Sequence, residues 1–217
     1  MPRTFKDISE SIKVEKLGRV AAMDAITFTG DVYMYGVWSG MSTKFISDYL
    51  STNQIEYNKM FGFDSFVGLP EEKEFIKHPG HTLGKYSSVD LYKDTCINTM
   101  EKIQTGVGND KLKLIPGFYE DVLDKELTRT EKMWDASFID LDVDLCSSAI
   151  TVLDFMCESA LVISGTVIYF DDWGATPEYK GGVSLAWKTI VEKHSLEYEE
   201  IFSTGKRPYV LKVFVIK

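Results

Sequence analysis

Two apolar runs that each close in aspartates constrain this 217-residue chain more than any other feature. Gly165-Thr166-Val167-Ile168-Tyr169-Phe170 ends at Asp171-Asp172, and Ser137-Phe138-Ile139 ends at Asp140-Leu141-Asp142-Val143-Asp144. Short runs rich in β-branched and aromatic residues read as buried strands. Carboxylates are costly to bury without partners, so they belong where such strands stop. In an open α/β sheet that place is the edge facing the ligand crevice. Two neighbouring strands delivering carboxylates to one edge make a site for a hard divalent cation bound through oxygen.

The rest of the chain supplies the sheet. Residues 3 to 25 carry apolar positions at helical spacing and form an N-terminal helical segment over 1–25. Asp31 to Tyr35 reads as the first strand, followed by the glycine turn Gly36-Val37-Trp38-Ser39-Gly40 and a helix from Ser42 to Tyr49. Glu56 to Phe63 reads as a second strand ending at Asp64. A polar loop from Gly68 to Ser87, long enough to act as a lid or binding loop, comes next. A helix over Ser88–Ile103 and a strand over Lys111–Ile115 precede the two acid-tipped strands, which are separated by a helix over Ser147–Ser159. Lys180 to His194 is amphipathic, with Val183, Ala186, Trp187, Ile190 and Val191 on one face. Leu196 to Ser203 and Tyr209 to Ile216 read as an antiparallel hairpin. Strands alternating with helices predict one α/β domain over residues 1–217. Its sheet is mostly parallel and doubly wound, with an antiparallel last strand and helices on both faces.

Charge and cysteine usage narrow the partners. The net charge is -9 and the pI about 4.9, which disfavours nucleic acid. No run reaches the ~18 apolar residues of a membrane span, and the N-terminus lacks a signal-peptide core. Cys96, Cys146 and Cys157 have no metal-type spacing. On one helix, Cys146 and Cys157 would stand roughly 16 Å apart, beyond disulfide reach. The expectation is a reduced, cytoplasmic protein that acts on a small molecule, with a homo-oligomer allowed.

The glycine turn permits close backbone approach to a nucleotide-type cofactor. Asp64, at the second strand end, stands where Rossmann-like proteins hold ribose hydroxyls; the alternative is a turn aspartate. With the two acidic strand ends, the expectation is a metal-assisted transferase. His78 and His81, either side of Pro79-Gly80, read as ordinary loop residues, and Lys206-Arg207 as a solvated turn. Trp173 and Trp187 read as packing residues.

Five motifs in order then resemble one family. Phe63 to Pro70 is similar to the "FDSFxGLP" signature of the macrocin-type O-methyltransferases, S-adenosylmethionine enzymes that methylate sugars of natural products. Gly36 to Ser42 resembles their "GVxxGxS", Pro116 to Asp121 their "GxFxDT", Asp142 to Ser148 their "DxDLYxST" and Gly165 to Trp173 their "GGxxxxDDY". The resemblance implies a class I methyltransferase sheet and Mg2+ held by Asp144, Asp171 and Asp172, with Asp142 in reserve and Asp144 as general base. It implies cofactor contacts from Gly36, Val37 and Ser42 at the methionine end, Asp64 at the ribose, and Tyr119 and Asp121 near the adenine, with Ser65 a further cofactor-binding residue. The acceptor would be a hydroxyl of a sugar, a glycosylated metabolite or another vicinal diol. Three positions depart from the pattern: Met34 replaces a glutamate, Cys146 a tyrosine and Val122 a threonine.

Other classes fit parts of this pattern. A metal-dependent glycosyltransferase would use Asp142-Val143-Asp144 as its DxD element but needs a basic diphosphate site. A phosphatase would need its DxD on an early strand. A cofactor-binding protein without catalysis is the third.

Overall fold

The computed structural model describes residues 5–73, 75, 79–173, 182–204 and 210–217, with side chains from residue 15 onward. His78, most of the segment from Trp173 to Gly182, and the hairpin turn carrying Lys206 and Arg207 lie outside the described residues.

The chain opens with helix α1 (Phe5–Asp24), strand β1 (Asp31–Tyr35), helix α2 (Met41–Thr52) and strand β2 (Met60–Asp64). Helices α3 (Ser88–Tyr92) and α4 (Cys96–Val107), strand β3 (Leu112–Pro116) and the short helices α5 (Tyr119–Val122) and α6 (Lys125–Thr130) follow. Strand β4 (Ala136–Leu141), helix α7 (Cys146–Glu158), strand β5 (Val167–Phe170), helix α8 (Val183–His194) and strands β6 (Tyr198–Ser203) and β7 (Lys212–Ile216) complete it. The sheet order is β3-β2-β1-β4-β5-β7-β6. Strands β1 to β5 are parallel, and β7 is antiparallel to both neighbours.

Every residue of β1 and β4 is buried, because both strands are covered on two faces. Alternate residues serve different layers. Tyr33 and Tyr35 of β1, with Ile139 and Leu141 of β4, pack toward α7 and α8. Val32, Met34 and Phe138 pack toward α1, α2 and α4. Met34, which stands where the family pattern has a glutamate, is therefore a fully buried core residue. In α8, Val183, Ala186, Trp187 and Ile190 are buried as the amphipathic pattern predicts. The Trp187 ring stacks on Phe214 at 5.4 Å, and Trp173 meets Phe214 edge-on at 5.1 Å.

The helix expected over Ser88–Ile103 is two helices. Lys93 takes the left-handed conformation (φ 51°) as the C-cap of α3, and the Thr95 hydroxyl accepts the Asn98 amide to start α4. The helices α5 and α6 were not expected. Asp124 caps α6 by accepting the Leu127 amide at 2.7 Å, a local signal that short elements leave easy to miss.

Register positions the site. Tyr35 pairs with Phe63 and with Leu141, and Leu141 pairs with Phe170. The next residues on these four strands are Gly36, Asp64, Asp142 and Asp171, so all reach the same sheet edge. The strand order reverses between β1 and β4, which opens the crevice there.

Candidate active site

Gly36 has φ 97°, and a Cβ there would collide with the Asp142 carbonyl oxygen. Only glycine lets β1 leave the sheet this close to the end of β4. Gly40 (φ 77°) begins α2 without a side-chain cap, so the helix N-terminus keeps amides for an anionic group. Ser42 lies half-buried in that first turn.

Asp64 is the tie that holds this turn. Its Oδ2 accepts the amides of Val37 at 2.9 Å and Trp38 at 2.8 Å, and its Oδ1 accepts that of Phe66 at 2.7 Å. Burial pushes its carboxyl above the usual range, against the pull of these amides. Ser65 is likewise occupied locally, donating to the Gly68 carbonyl at 2.7 Å and accepting the Val67 amide at 3.2 Å. Both residues, expected to bind the cofactor, are thus also turn builders. Asp64→Ala is expected to destabilise the cofactor-free protein, because orphaned amides cost about 1–3 kcal/mol. Urea unfolding without any ligand checks this, and an unchanged midpoint would leave Asp64 with a purely ligand-binding role.

Tyr119 begins α5 half-buried, its ring edge-on to Tyr35 at 5.8 Å. Burial raises its hydroxyl pKa, and nearby Asp64, Asp142 and Asp144 raise it further. Asp121 points to solvent from the same short helix.

The acidic residues of β4 and β5 divide into two groups. Asp140 is fully buried and Arg19 of α1 is 4% exposed. The Arg19 Nε lies 3.1 Å from Asp140 Oδ1, and its second arm donates to Asp142 Oδ2 at 2.7 Å. The guanidinium sits 4.7 Å over the Tyr169 ring, and the Tyr169 hydroxyl donates to Asp171 Oδ1 at 2.6 Å. Burial nevertheless outweighs the Arg19 charge, and the Asp140 carboxyl is pushed up to about 6.

Asp144 turns elsewhere. Its Oδ1 lies 3.2 Å from His81 Nε2. Burial and the nearby Asp171 push its carboxyl up to about 7, with Lys85 pulling the other way. One ligand atom each from His81, Asp144 and Asp172 lie within 4.8 Å of one another. Asp172 reaches this cluster from a left-handed backbone (φ 47°), rare for a residue with a side chain. Asp171 is adjacent through its charge but is not one of the three.

Described residues of the polar loop meet the start of α7 and this cluster. Glu72 Oε2 accepts the Ser147 amide at 3.1 Å, capping α7, which has no cap of its own. The Leu69 amide donates to the Lys85 carbonyl at 2.8 Å, and the Gly84 amide returns to Leu69 at 2.9 Å, clamping the base of the turn that carries His81. Arg19, Glu72 and His81 were not read as site residues from the sequence. The one signal for Arg19 was arithmetic: five aspartates at two adjacent strand ends require cations.

All three cysteines are free thiols, and among the described residues no helix is long and apolar enough to cross a membrane.

Residues 13–199 match the family model described as Macrocin-O-methyltransferase (TylF). Among solved structures, the chain is similar to the O-methyltransferase NovP, with TM-score 0.67 and 20% identity over 93% of this chain and 79% of that one. It is also similar to CalS11, calicheamicin methyltransferase, with TM-score 0.65 and 14% identity over 96% and 80%. No curated protein sequence matches significantly.

Proposed function

The chain belongs to the macrocin O-methyltransferase family, and we propose that it methylates a hydroxyl of a sugar or other vicinal diol, using S-adenosylmethionine and a divalent cation. The observation that carries the metal half of this reading is the convergence of Asp144 and Asp172 at one strand edge, with His81 completing a donor set within 4.8 Å. Hard carboxylates beside the acceptor crevice are the donors such an ion takes. The membership itself favours methyl transfer over the glycosyltransferase reading, and the DxD element is split, with Asp142 on Arg19 and Asp144 on His81.

When bound, the two groups supply an activated methyl on a sulfonium and Lewis-acid polarisation of the acceptor hydroxyl. The chain's own residues do the rest. The turn from Gly36 to Gly40 and the start of α2 orient the methionine end, with Val37 and Ser42 beside it. Asp64 and Ser65 would frame the ribose, and Tyr119 and Asp121 would border the adenine. Asp144 and Asp172 would hold the cation, with Asp171 alongside; magnesium is the ion the family resemblance implies. A sugar hydroxyl is a weak nucleophile at neutral pH, so Asp144 would take its proton as general base. The His81-bearing loop covers the crevice and limits water.

The test is direct. Purified protein, S-adenosylmethionine and a panel of nucleotide-activated sugars are expected to yield S-adenosylhomocysteine with a methylated sugar. EDTA should suppress this and added divalent cation restore it. Full activity in EDTA would remove the metal from the reading, and methylation of no diol acceptor would remove the acceptor class.

A further inference from the structure

Resting on the metal half of that reading, we infer that His81 is itself a ligand of the cation, and that the site therefore favours a borderline transition ion, such as Mn2+ or Co2+, over Mg2+. The resemblance points to an all-aspartate triad, but the side chains group differently. Asp171 is engaged by the Tyr169 hydroxyl at 2.6 Å, and Asp142 by Arg19 at 2.7 Å. The donors that converge are one imidazole nitrogen and two carboxylates, from His81, Asp144 and Asp172. Donors bound at about 2.0–2.2 Å to a common ion lie roughly 3–4.4 Å apart, and the 4.8 Å limit on this set needs only small closure.

His81 is held for this task. The Leu69–Lys85 and Gly84–Leu69 backbone bonds clamp its turn, and Glu72 anchors the same loop to the start of α7. The Tyr86 ring meets the imidazole at 6.3 Å between centroids. The His81 side chain is 16% exposed and that of Asp144 18%, so the pair is not a solvated surface ion pair. Lys85, the lysine that acts on Asp144 electrostatically, belongs to the same loop. The loop therefore brings both a ligand and a positive charge to the aspartates.

The chemical consequence follows from ligand type. Imidazole nitrogen suits first-row transition ions, whereas Mg2+ takes oxygen and keeps several waters. A mixed set of one nitrogen and two carboxylates thus ranks Co2+ and Mn2+ above Mg2+.

The experiment is a metal titration, independent of turnover. Full-length protein stripped with EDTA is titrated with Mn2+ by electron paramagnetic resonance and with Co2+ by visible absorption, with Mg2+ as competitor. Wild type is expected to prefer Co2+ and Mn2+ over Mg2+ by at least about tenfold. His81→Ala should lose about 10–100-fold in Co2+ affinity while Mg2+ affinity changes little. His81→Asp, an oxygen donor at the same place, should regain cation binding and shift the preference toward Mg2+. Unfolding midpoints confirm that both variants are folded. A His81→Ala protein that titrates like wild type with every ion would overturn the assignment while leaving the two aspartates as ligands. Wild-type protein that binds none of the three ions would instead overturn the metal reading beneath it.

Discussion

Asp144→Asn is expected to abolish methyl transfer while leaving the fold and the cofactor turn intact. Loss of a general base alone costs about 10²–10⁴-fold, and the same substitution weakens a cation ligand, so the combined loss should exceed about 10³-fold. The fold should not suffer, because the Asp144 carboxyl is a burden on the ligand-free protein. Burial and the proximity of Asp171 push it up to about 7, so between its unfolded value near 4 and pH 7 the native state binds more protons than the unfolded one. Stability therefore falls as pH rises through that window. Asparagine keeps the shape and removes the charge, so the variant should match wild type near pH 4, be moderately more stable at pH 5.5 and gain most at pH 8. Asp142→Asn should be milder in turnover, since that carboxylate accepts from Arg19. Turnover, S-adenosylhomocysteine affinity and urea midpoints at these pH values decide the matter. A severe Asp142 phenotype beside a mild Asp144 one would mean the roles are exchanged.

The sheet was legible because its evidence is local. Asp31–Tyr35 is recovered as a strand with the same ends, and the acid-tipped runs are strands that stop beside their aspartates. The antiparallel pairing of the last two strands also follows the sequence pattern. The partition of the aspartates was not legible. Asp140, Asp142 and Asp144 alternate along one stretch and look equivalent, yet Asp140 and Asp142 meet a cation 121 and 123 residues earlier and Asp144 meets a loop histidine. Nothing in α1 marks Arg19 apart from its lysine neighbours until the helix is laid on the sheet. His81 carried no signal because its meaning lies in where Glu72 and Lys85 pin the loop. Asp64 shows a subtler gap. The reading placed it at the strand edge, and both a ribose contact and a turn aspartate fit that place; three amide bonds reveal how far it serves the turn.

Arg19→Ala is expected to be strongly destabilising. Arg19 is 4% exposed and faces Asp140, which is fully buried. Removing one partner of a buried ion pair typically costs about 3–5 kcal/mol, because the other charge is left without compensation. Against a total stability on the order of 5–15 kcal/mol, that is a large share. Lysine should rescue poorly. The guanidinium reaches Asp140 and Asp142 with separate arms while lying flat over Tyr169 at 4.7 Å, and a single ammonium cannot do all three. The pH dependence identifies the cause. Asp140, already raised to about 6 with Arg19 present, titrates higher without it. The variant's native state then takes up protons relative to the unfolded state over a window reaching further above pH 6. Its deficit should be greatest at pH 8 and shrink at pH 5.5, where the carboxyl is neutral. Asp140→Asn placed on Arg19→Ala should recover more of the loss at pH 8 than at pH 5.5. Urea unfolding at the two pH values measures all four proteins. A deficit that is the same at both, with no recovery in the double variant, would show that Arg19 contributes by packing its stem between α1 and β5 and not by its charge.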